Sequence, residues 1–257
     1  RIIGDGEPKY LNTPATILYD KGRQVFGLNF AKTAIRQQDF TVLVEGNLDV
    51  ISSHQAGIAN VVACAGTALT RDHLKSLSRL SHNIRLCFDG DRAGVAATER
   101  AIGLAEDLEV KLSVISLEGA KDPDELIQEN SALWQAAIER HTPAVDWVID
   151  QYAEREDLAT ADCKKTLATK ALRLIRNLRD PVDQEFYLKK VAHLTDVSLA
   201  TLMQKMSSTG SATTPSRRIL KPTKVTRREY TRRDEKYLID NILAIALSQP
   251  RLRSVLH

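Results

Sequence analysis

The stretch Thr41-Val-Leu-Val-Glu-Gly46 decides the fold of this chain, and Phe88-Asp-Gly-Asp91 repeats its design. Each is a short apolar run that ends in a carboxylate beside a glycine. Apolar runs of this length predict strands that are buried on both faces, as in a parallel sheet. Because ligands of open α/β sheets bind at the carboxyl ends of the strands, we expect Glu45, Asp89 and Asp91 to face one crevice.

Three carboxylates in one crevice indicate a cation, because without one they would repel each other. Hard divalent ions take oxygen ligands, and Mg²⁺ is the first choice. The three carboxylates therefore indicate a metal site that acts on phosphate groups. They do not indicate a pair of carboxyl groups that transfers a proton. A lone Asp-x-Asp pattern is weaker evidence, since Asp89-Gly90 is a common turn pair and Asp91 could simply cap a helix.

Strands and helices alternate between residues 40 and 117. The apolar runs predict strands at 41–45, 61–65, 84–88 and 110–117, with a helix between each pair. Gly57 is expected to end the first of these helices, and Thr70 is expected to cap the second. The fold class is therefore α/β, with a mainly parallel sheet flanked by helices.

After residue 120 the pattern changes, and as far as about residue 206 it predicts helices only. Asp122 is expected to cap a helix with Pro123 in its first turn. Asp180-Pro181 starts another helix, and Asp196 or Ser198 starts the last one. One predicted helix has an apolar face formed by Leu167, Ala171, Leu174, Ile175 and Leu178.

The net charge of +3 conceals an asymmetry along the chain. Residues 217–257 hold 11 Lys/Arg and 4 acids, which is +7, and the rest holds 25 and 29, which is −4. Residues 207–233 are rich in Ser, Thr, Pro and basic residues and predict a flexible basic linker. A helical pattern returns at residues 234–257, where we expect a further domain to begin.

Cysteine usage and hydropathy exclude several classes of protein. The three cysteines are far apart, and without a Cys-x-x-Cys pair neither a zinc site nor a disulfide framework is expected. Buried free thiols suit the cytoplasm. No apolar run approaches the ~20 residues that a membrane span needs. The chain starts with Arg1 rather than Met, so we expect a fragment.

The motifs together resemble the Toprim domain, which bacterial primases share with type IA and II topoisomerases and some nucleases. The resemblance rests on Val44-Glu-Gly46 followed by Asp49, on Phe88-Asp-Gly-Asp91, and on Lys121-Asp-Pro-Asp124. The flanking segments are similar to the DnaG-type bacterial primases over about residues 1–206. Those segments are Pro8-Lys-Tyr-Leu-Asn12, Lys21-Gly-Arg23, Gly66-Thr67 and Asp89-Gly-Asp-Arg-Ala-Gly94.

This resemblance implies a domain plan and roles for individual residues. Residues 1–38 would end the N-terminal part of the polymerase domain, 39–120 would be the Toprim domain, 121–206 a helical subdomain, and 234–257 the start of a helicase-interacting domain. Glu45, Asp89 and Asp91 match the catalytic metal ligands, with Asp49, Asp122 and Asp124 as further metal-site acids. Arg1, Lys9, Asn12 and Lys21 match the basic face that binds nucleotide or nucleic acid. Asn47-Leu48 departs from the Tyr-Met usual in the family, but the carboxylate spacing is kept.

The resemblance also implies an activity. The chain would belong to a DNA primase, a DNA-directed RNA polymerase that makes short RNA primers on single-stranded DNA at the replication fork by metal-assisted nucleotidyl transfer. The implied cofactor is Mg²⁺ or Mn²⁺. The implied partners are single-stranded DNA, ribonucleoside triphosphates, the replicative helicase and single-strand-binding protein, with no membrane partner. The implied location is the bacterial cytoplasm, at the nucleoid.

Two alternatives stay open at this point. A Toprim nuclease or topoisomerase would use the same acids, but a topoisomerase would also need a nucleophilic tyrosine in a separate domain. A non-catalytic scaffold would use the acids only for structure, and its tail would only tether partners. The chain has no Walker A motif and no Gly-x-Gly-x-x-Gly fingerprint, so ATPase and dehydrogenase activities lack support.

Overall fold

The computed structural model describes residues 16, 20–64, 66–88, 91–117, 119–155 and 158–208. Ser207 and Ser208, the first two residues of the predicted linker 207–233, belong to the last helix. The rest of that linker and the predicted segment 234–257 lie outside these residues. So do Arg1, Lys9, Asn12 and Asp89 of the expected site. No helix in the described ranges is long and apolar enough to cross a membrane.

A five-stranded sheet forms the centre of the α/β part, and its strand order is β2-β1-β3-β4-β5. The first four strands are parallel, and β5 pairs antiparallel with β4. The predicted α/β class with a mainly parallel sheet is confirmed. The strands are β1 (Thr41–Val44), β2 (Val61–Ala63), β3 (Asn83–Cys87), β4 (Lys111–Ile115) and β5 (His141–Pro143).

Helices follow the strands in alternation and then continue alone after β5. The first five are α1 (Leu28–Gln38), α2 (Asn47–Gln55), α3 (Arg71–Ser78), α4 (Arg92–Ala105) and α5 (Pro123–Glu139). The last four are α6 (Ala144–Arg155), α7 (Ala161–Ile175), α8 (Pro181–Thr195) and α9 (Leu199–Ser208). A 3₁₀ turn, Glu106–Leu108, follows α4, and α5 is interrupted at Asn130, where the backbone is extended.

Both faces of the sheet are covered, which explains the uninterrupted apolar runs of its strands. Leu43 points to one face, where it joins a core with side chains of α1, α3 and α4. Val42 and Val44 point to the other face, where they join side chains of α2 and α5. A strand buried on both faces needs apolar residues at every position rather than at alternate ones.

A third core lies among α6, α7, α8 and α9. The predicted apolar face of α7 and the loop after it is buried there, so that prediction is confirmed. Val114 of β4 and Val95 and Ile102 of α4 belong to the same core. The helical part is therefore packed against the α/β part through α4 and β4.

The predicted helix ends are confirmed by their hydrogen bonds. Thr70 Oγ1 accepts from the His73 N–H at 3.1 Å, and Asp122 Oδ1 accepts from the Glu125 N–H at 3.0 Å. Asp180 Oδ1 accepts from the Val182 N–H at 2.8 Å. Each bond satisfies one of the amide groups that a helix start leaves without an intrahelical partner. Of the two expected starts of the last helix, Ser198 is the one used, and its Oγ accepts from the N–H of residue 201 at 3.2 Å.

The prediction of helices only between residues 120 and 206 was wrong at β5. Thr142 pairs with Val114 in an antiparallel register at the edge of the sheet. Three residues are too few to show the alternation that marks a strand. Pro143 also argues against a strand in sequence, yet an edge strand tolerates proline because its outer N–H groups need no partner. The domain boundaries drawn from the sequence stay predictions.

Candidate active site at the carboxyl ends of the strands

The position of Glu45 follows from the register of β1. Val44, the last residue of β1, lies level with Ala63 of β2 and Cys87 of β3. The residues that follow these three strand ends therefore emerge at one edge of the sheet. Glu45 lines two adjoining cavities at this edge, one of about 460 Å³ and one of about 250 Å³.

The first of these cavities, here called the carboxylate cavity, brings Glu45 and Asp91 together. Its walls are the ends of β1 and β3, the loop at residues 66–69 and the first turns of α4. Asp91 also caps α4, because its Oδ1 accepts from the Gly94 N–H at 2.8 Å. Arg100 of α4 lines the same cavity. The cap and the cavity are thus compatible roles of one carboxylate.

Asp89 lies outside the described residues, but its sequence neighbours Phe88 and Asp91 both line the carboxylate cavity. The structure therefore brings together two of the three residues expected to be catalytic. The assignment of the third stays a prediction.

The second cavity collects the other expected acids. Asp49 of α2 and Asp122 at the start of α5 line it with Glu45 and Lys121. Asp124 is held close by, because the Ser52 hydroxyl and the Gln128 amide both donate to its carboxylate. The α2–α5 pair thus places acids that are more than 70 residues apart in sequence beside one another.

The pKa of Asp49 is raised from 3.8 to about 6, first by burial and then by the negative charge of Asp122. The N–H groups of Gly46 and Asp124 donate to the Asp49 carboxylate and oppose the shift. The Gly46 bond has a length of 3.1 Å. A carboxylate that is costly to ionise beside other acids is typical of a site that is completed by a cation.

The acids fit a hard divalent cation in their chemistry. They offer carboxylate oxygens, which Mg²⁺ and Mn²⁺ prefer. Within the described ranges, which leave out Asp89, no three His, Cys, Asp or Glu side chains stand close enough to hold an ion. The acids that could take part in such a site are Glu45 and Asp91 in the carboxylate cavity and Asp49 and Asp122 in the second cavity.

Lys21 is the one member of the expected basic face that the described residues include. Its carbonyl oxygen lies 2.7 Å from His73 Nε2, and the Thr70 hydroxyl donates to the Gly22 carbonyl at 2.6 Å. The turn that carries Lys21 is therefore fixed to the N-terminus of α3. The loop that leads into α3 lines the carboxylate cavity, so Lys21 belongs to the same region of the molecule.

Sequence reasoning missed His73, which is fully buried and holds the Lys21 turn. Its Nδ1 accepts from the Thr70 N–H at 3.3 Å, so Nε2 carries the proton that is donated to the Lys21 carbonyl. The only signal in the sequence is its spacing of three residues from the cap Thr70. A side chain three residues after a cap residue can accept a hydrogen bond from the backbone N–H of that cap residue.

Comparison with known proteins identifies the family. A Toprim-like family matches residues 42–127, and the DnaB-helicase binding domain of primase matches residues 145–200. A DNA primase of Synechococcus elongatus is 43% identical over 206 residues, and that of Escherichia coli is 35% identical over 219 residues. The chain belongs to the bacterial DnaG-type primase family.

Solved structures of this primase family show the same fold. A DNA primase domain from Pseudomonas aeruginosa has a TM-score of 0.68 at 32% identity, covering 80% of this chain and 66% of that one. A DnaG primase catalytic domain bound to single-stranded DNA has a TM-score of 0.67 at 30% identity, covering 78% and 65%. The predicted Toprim fold and family are confirmed.

The primase-family chain is much shorter than its curated relatives. The matches cover 75% of this chain and 30% of the Synechococcus elongatus protein, and 82% and 38% for Escherichia coli. The helicase-binding match at residues 145–200 runs from α6 through α8 to the first two residues of α9. The helicase-interacting domain implied by the resemblance begins after residue 233, outside the described residues, so its position stays a prediction.

Proposed function

We propose that this chain forms part of the catalytic core of a DNA primase that joins ribonucleotides on a single-stranded DNA template. The observation that carries the proposal is the shared cavity of Glu45 and Asp91 at the ends of parallel strands, in a chain of the primase family. The homologous DNA primases support the reaction class, which is nucleotidyl transfer.

We assign metal binding to one group of residues and phosphate binding to another. Glu45, Asp91 and Asp89 would hold Mg²⁺ or Mn²⁺, with Asp49, Asp122 and Asp124 beside them. A bound divalent ion lowers the pKa of the attacking 3′-hydroxyl and neutralises charge on the leaving pyrophosphate. Lys21 and, in the segment before it, Arg1, Lys9 and Asn12 would contact phosphates of nucleotide or nucleic acid through charge-assisted hydrogen bonds.

The two tyrosines of the described part are poorly suited to be the nucleophile of a topoisomerase. Only Tyr152 and Tyr187 lie within the described ranges, and each is less than 10% exposed. Burial raises the pKa of both phenols, and hydrogen bonds to Glu99 and Asp146 raise it further. A phenol that ionises less readily than usual is a poor nucleophile.

The helicase is a proposed partner on the strength of the match at residues 145–200. Template DNA is a proposed partner because related catalytic domains have been solved with single-stranded and double-stranded DNA. Ribonucleoside triphosphates are proposed partners because they are the substrates of the reaction. Single-strand-binding protein is a proposed partner because the reaction takes place at the replication fork. The bacterial cytoplasm is the proposed location.

The test is ribonucleotide incorporation on single-stranded DNA, with the N-terminal part of the relatives joined to this chain. Glu45→Gln keeps the shape of the side chain and removes its charge, so synthesis should fall at least 100-fold, or about 3 kcal/mol of transition-state stabilisation. Glu129→Gln, an exposed change on α5, is the matched control and should keep full activity. Equal activities of the two variants would contradict the proposed role of Glu45.

A further inference from the structure

Arg100 of α4 is the one cation among the described residues that line the carboxylate cavity. It is exposed, and it lies on the same side of α4 as Ala93 and Ala97, because these three residues are spaced four and three apart. The two alanine side chains occupy little of the space between α4 and the strand ends. Arg100 therefore shares an open cavity with Glu45 and Asp91, two acids of the proposed metal site.

No contact within the protein explains why Arg100 lines this cavity. In the ranges that the structure describes, its guanidinium group has no hydrogen bond, no ion pair and no aromatic ring beside it. By contrast, the exposed residues Arg71 and Arg179 both pair with Asp107, just after the end of α4. A guanidinium group that shares a cavity with carboxylates and pairs with none of them leaves room for a ligand between the opposite charges.

Helix α4 fixes the distance between Arg100 and the acids. Asp91 caps α4 and Arg100 follows nine residues later, so their Cα atoms are about 13 Å apart along the helix axis. A group held by the acids and a group held by Arg100 would therefore be separate parts of one extended ligand. A nucleoside triphosphate and a polynucleotide strand both carry several phosphates in a row.

We propose that Arg100 binds a phosphate group of the substrate, at a distance from the phosphate that reacts beside the acids of the carboxylate cavity. A guanidinium group stays charged at all working pH values, and its planar fork of N–H groups matches two phosphate oxygens. The inference rests on the proposed function, because it takes the ligand of the cavity to be a nucleotide or a nucleic acid strand.

The phosphate bound by Arg100 has two sources that fit. An incoming nucleotide carries three linked phosphates, and a strand carries one phosphate for each nucleotide. Both would present the same kind of anion to the guanidinium group. The affinity for each ligand is therefore measured separately.

The experiment compares the full chain with its Arg100→Ala variant in the presence of Mg²⁺. Binding of ATP is followed by isothermal titration calorimetry, and binding of a labelled single-stranded oligonucleotide is followed by fluorescence anisotropy. Loss of a charge-assisted hydrogen bond should weaken binding of at least one ligand about 10- to 150-fold. Arg100→Lys keeps the charge and loses the planar fork, so its affinity should lie between those of Arg100→Ala and the unchanged chain.

The matched control is Arg36→Ala, which removes an exposed arginine from α1, a helix that does not line the carboxylate cavity. It changes the net charge by the same amount. Thermal unfolding without ligand tests for a structural role, and Arg100→Ala and Arg36→Ala should have similar Tm values. Should Arg100→Ala fail to fold, Arg100→Gln replaces it, because glutamine keeps more of the side chain.

Weaker ATP binding alone assigns Arg100 to the triphosphate, and weaker oligonucleotide binding alone assigns it to the strand. Either result, or both together, supports phosphate binding by Arg100. Equal affinities of the Arg100→Ala and Arg36→Ala variants for both ligands overturn it, as does a lower Tm of Arg100→Ala with unchanged affinities. Full activity of Glu45→Gln would contradict the proposed function instead, and the affinities measured here do not depend on catalysis.

Discussion

At the residue scale, Asp49 links the fold to the chemistry of the site. It is 9% exposed and lies beside Asp122 and Asp124, and its pKa is raised to about 6. The sequence places it in the first turn of a helix, where a carboxylate is normally stabilised. Burial and the charge of Asp122 outweigh that effect.

The raised pKa of Asp49 predicts how stability depends on pH in metal-free protein. Between pH of about 4 and 6 the unfolded chain has lost a proton that the folded chain keeps, so the free energy of unfolding falls as pH rises. The fall is about 2 to 3 kcal/mol and is complete above pH of about 6. Asp49→Asn should remove most of it, measured by urea unfolding at pH 4 and pH 7.5 in a chelator.

Asp72→Asn is the control for this prediction, because Asp72 is an exposed carboxylate on α3. It should leave the pH dependence of unfolding close to that of the unchanged chain. The same pH dependence in the Asp49 and Asp72 variants would show that Asp49 is not the group responsible.

At the element scale, the pairing of α2 with α5 assembles the second cavity. Trp134 of α5 is fully buried, and its Nε1–H donates to Ser53 Oγ of α2 at 3.1 Å. Ser53 Oγ in turn donates to the Asp49 carbonyl at 2.6 Å. One buried hydroxyl therefore connects the helix that carries Asp49 to the helix that begins beside Asp122.

Ser53→Ala should lower the free energy of unfolding by about 1 to 3 kcal/mol, because it leaves the buried indole N–H without this acceptor. Ser76→Ala is a matched control, since Ser76 Oγ donates to the carbonyl four residues earlier in the same way but at an exposed position. Its effect should stay within about 0.5 kcal/mol. Chemical denaturation measures both, and equal losses would contradict a special role of the Ser53–Trp134 bond.

At the scale of the whole molecule, charge is divided between the body and the tail. Residues 217–257 carry +7, and the remaining residues carry −4. The charge of residues 217–257 favours an anionic partner, whereas the net charge of the remaining residues does not.

Deleting residues 211–233 removes eight basic residues and one acid. We expect this deletion to weaken binding of single-stranded DNA at low salt and to flatten its salt dependence, because neutralised phosphates release counterions. Catalysis per bound template should be unchanged, since no expected metal ligand lies in the deleted segment. Equal salt slopes for the deleted and intact chains would leave the segment only the role of a spacer.

The class of the fold and most of its elements could be predicted from the order of the amino acids. Short apolar runs are sufficient evidence for strands buried on both faces, and the caps Thr70, Asp122 and Asp180 act within one turn of the helix. Apolar runs and helix caps depend only on residues that are close together in the chain, so the sequence alone predicts them. The motifs around Glu45 and Asp91 were equally local, and the family they indicated is confirmed.

Which of these local features come into contact depends on the packing of the folded chain. The strand order puts β1 beside β3 and so brings Glu45 and Asp91 into one cavity. The sheet also includes β5, which pairs with β4. The three residues of β5 have no sequence pattern that predicts a strand. The pKa of Asp49 is raised by burial and by the charge of Asp122, which is 73 residues away in sequence, and such effects exist only after the chain has folded.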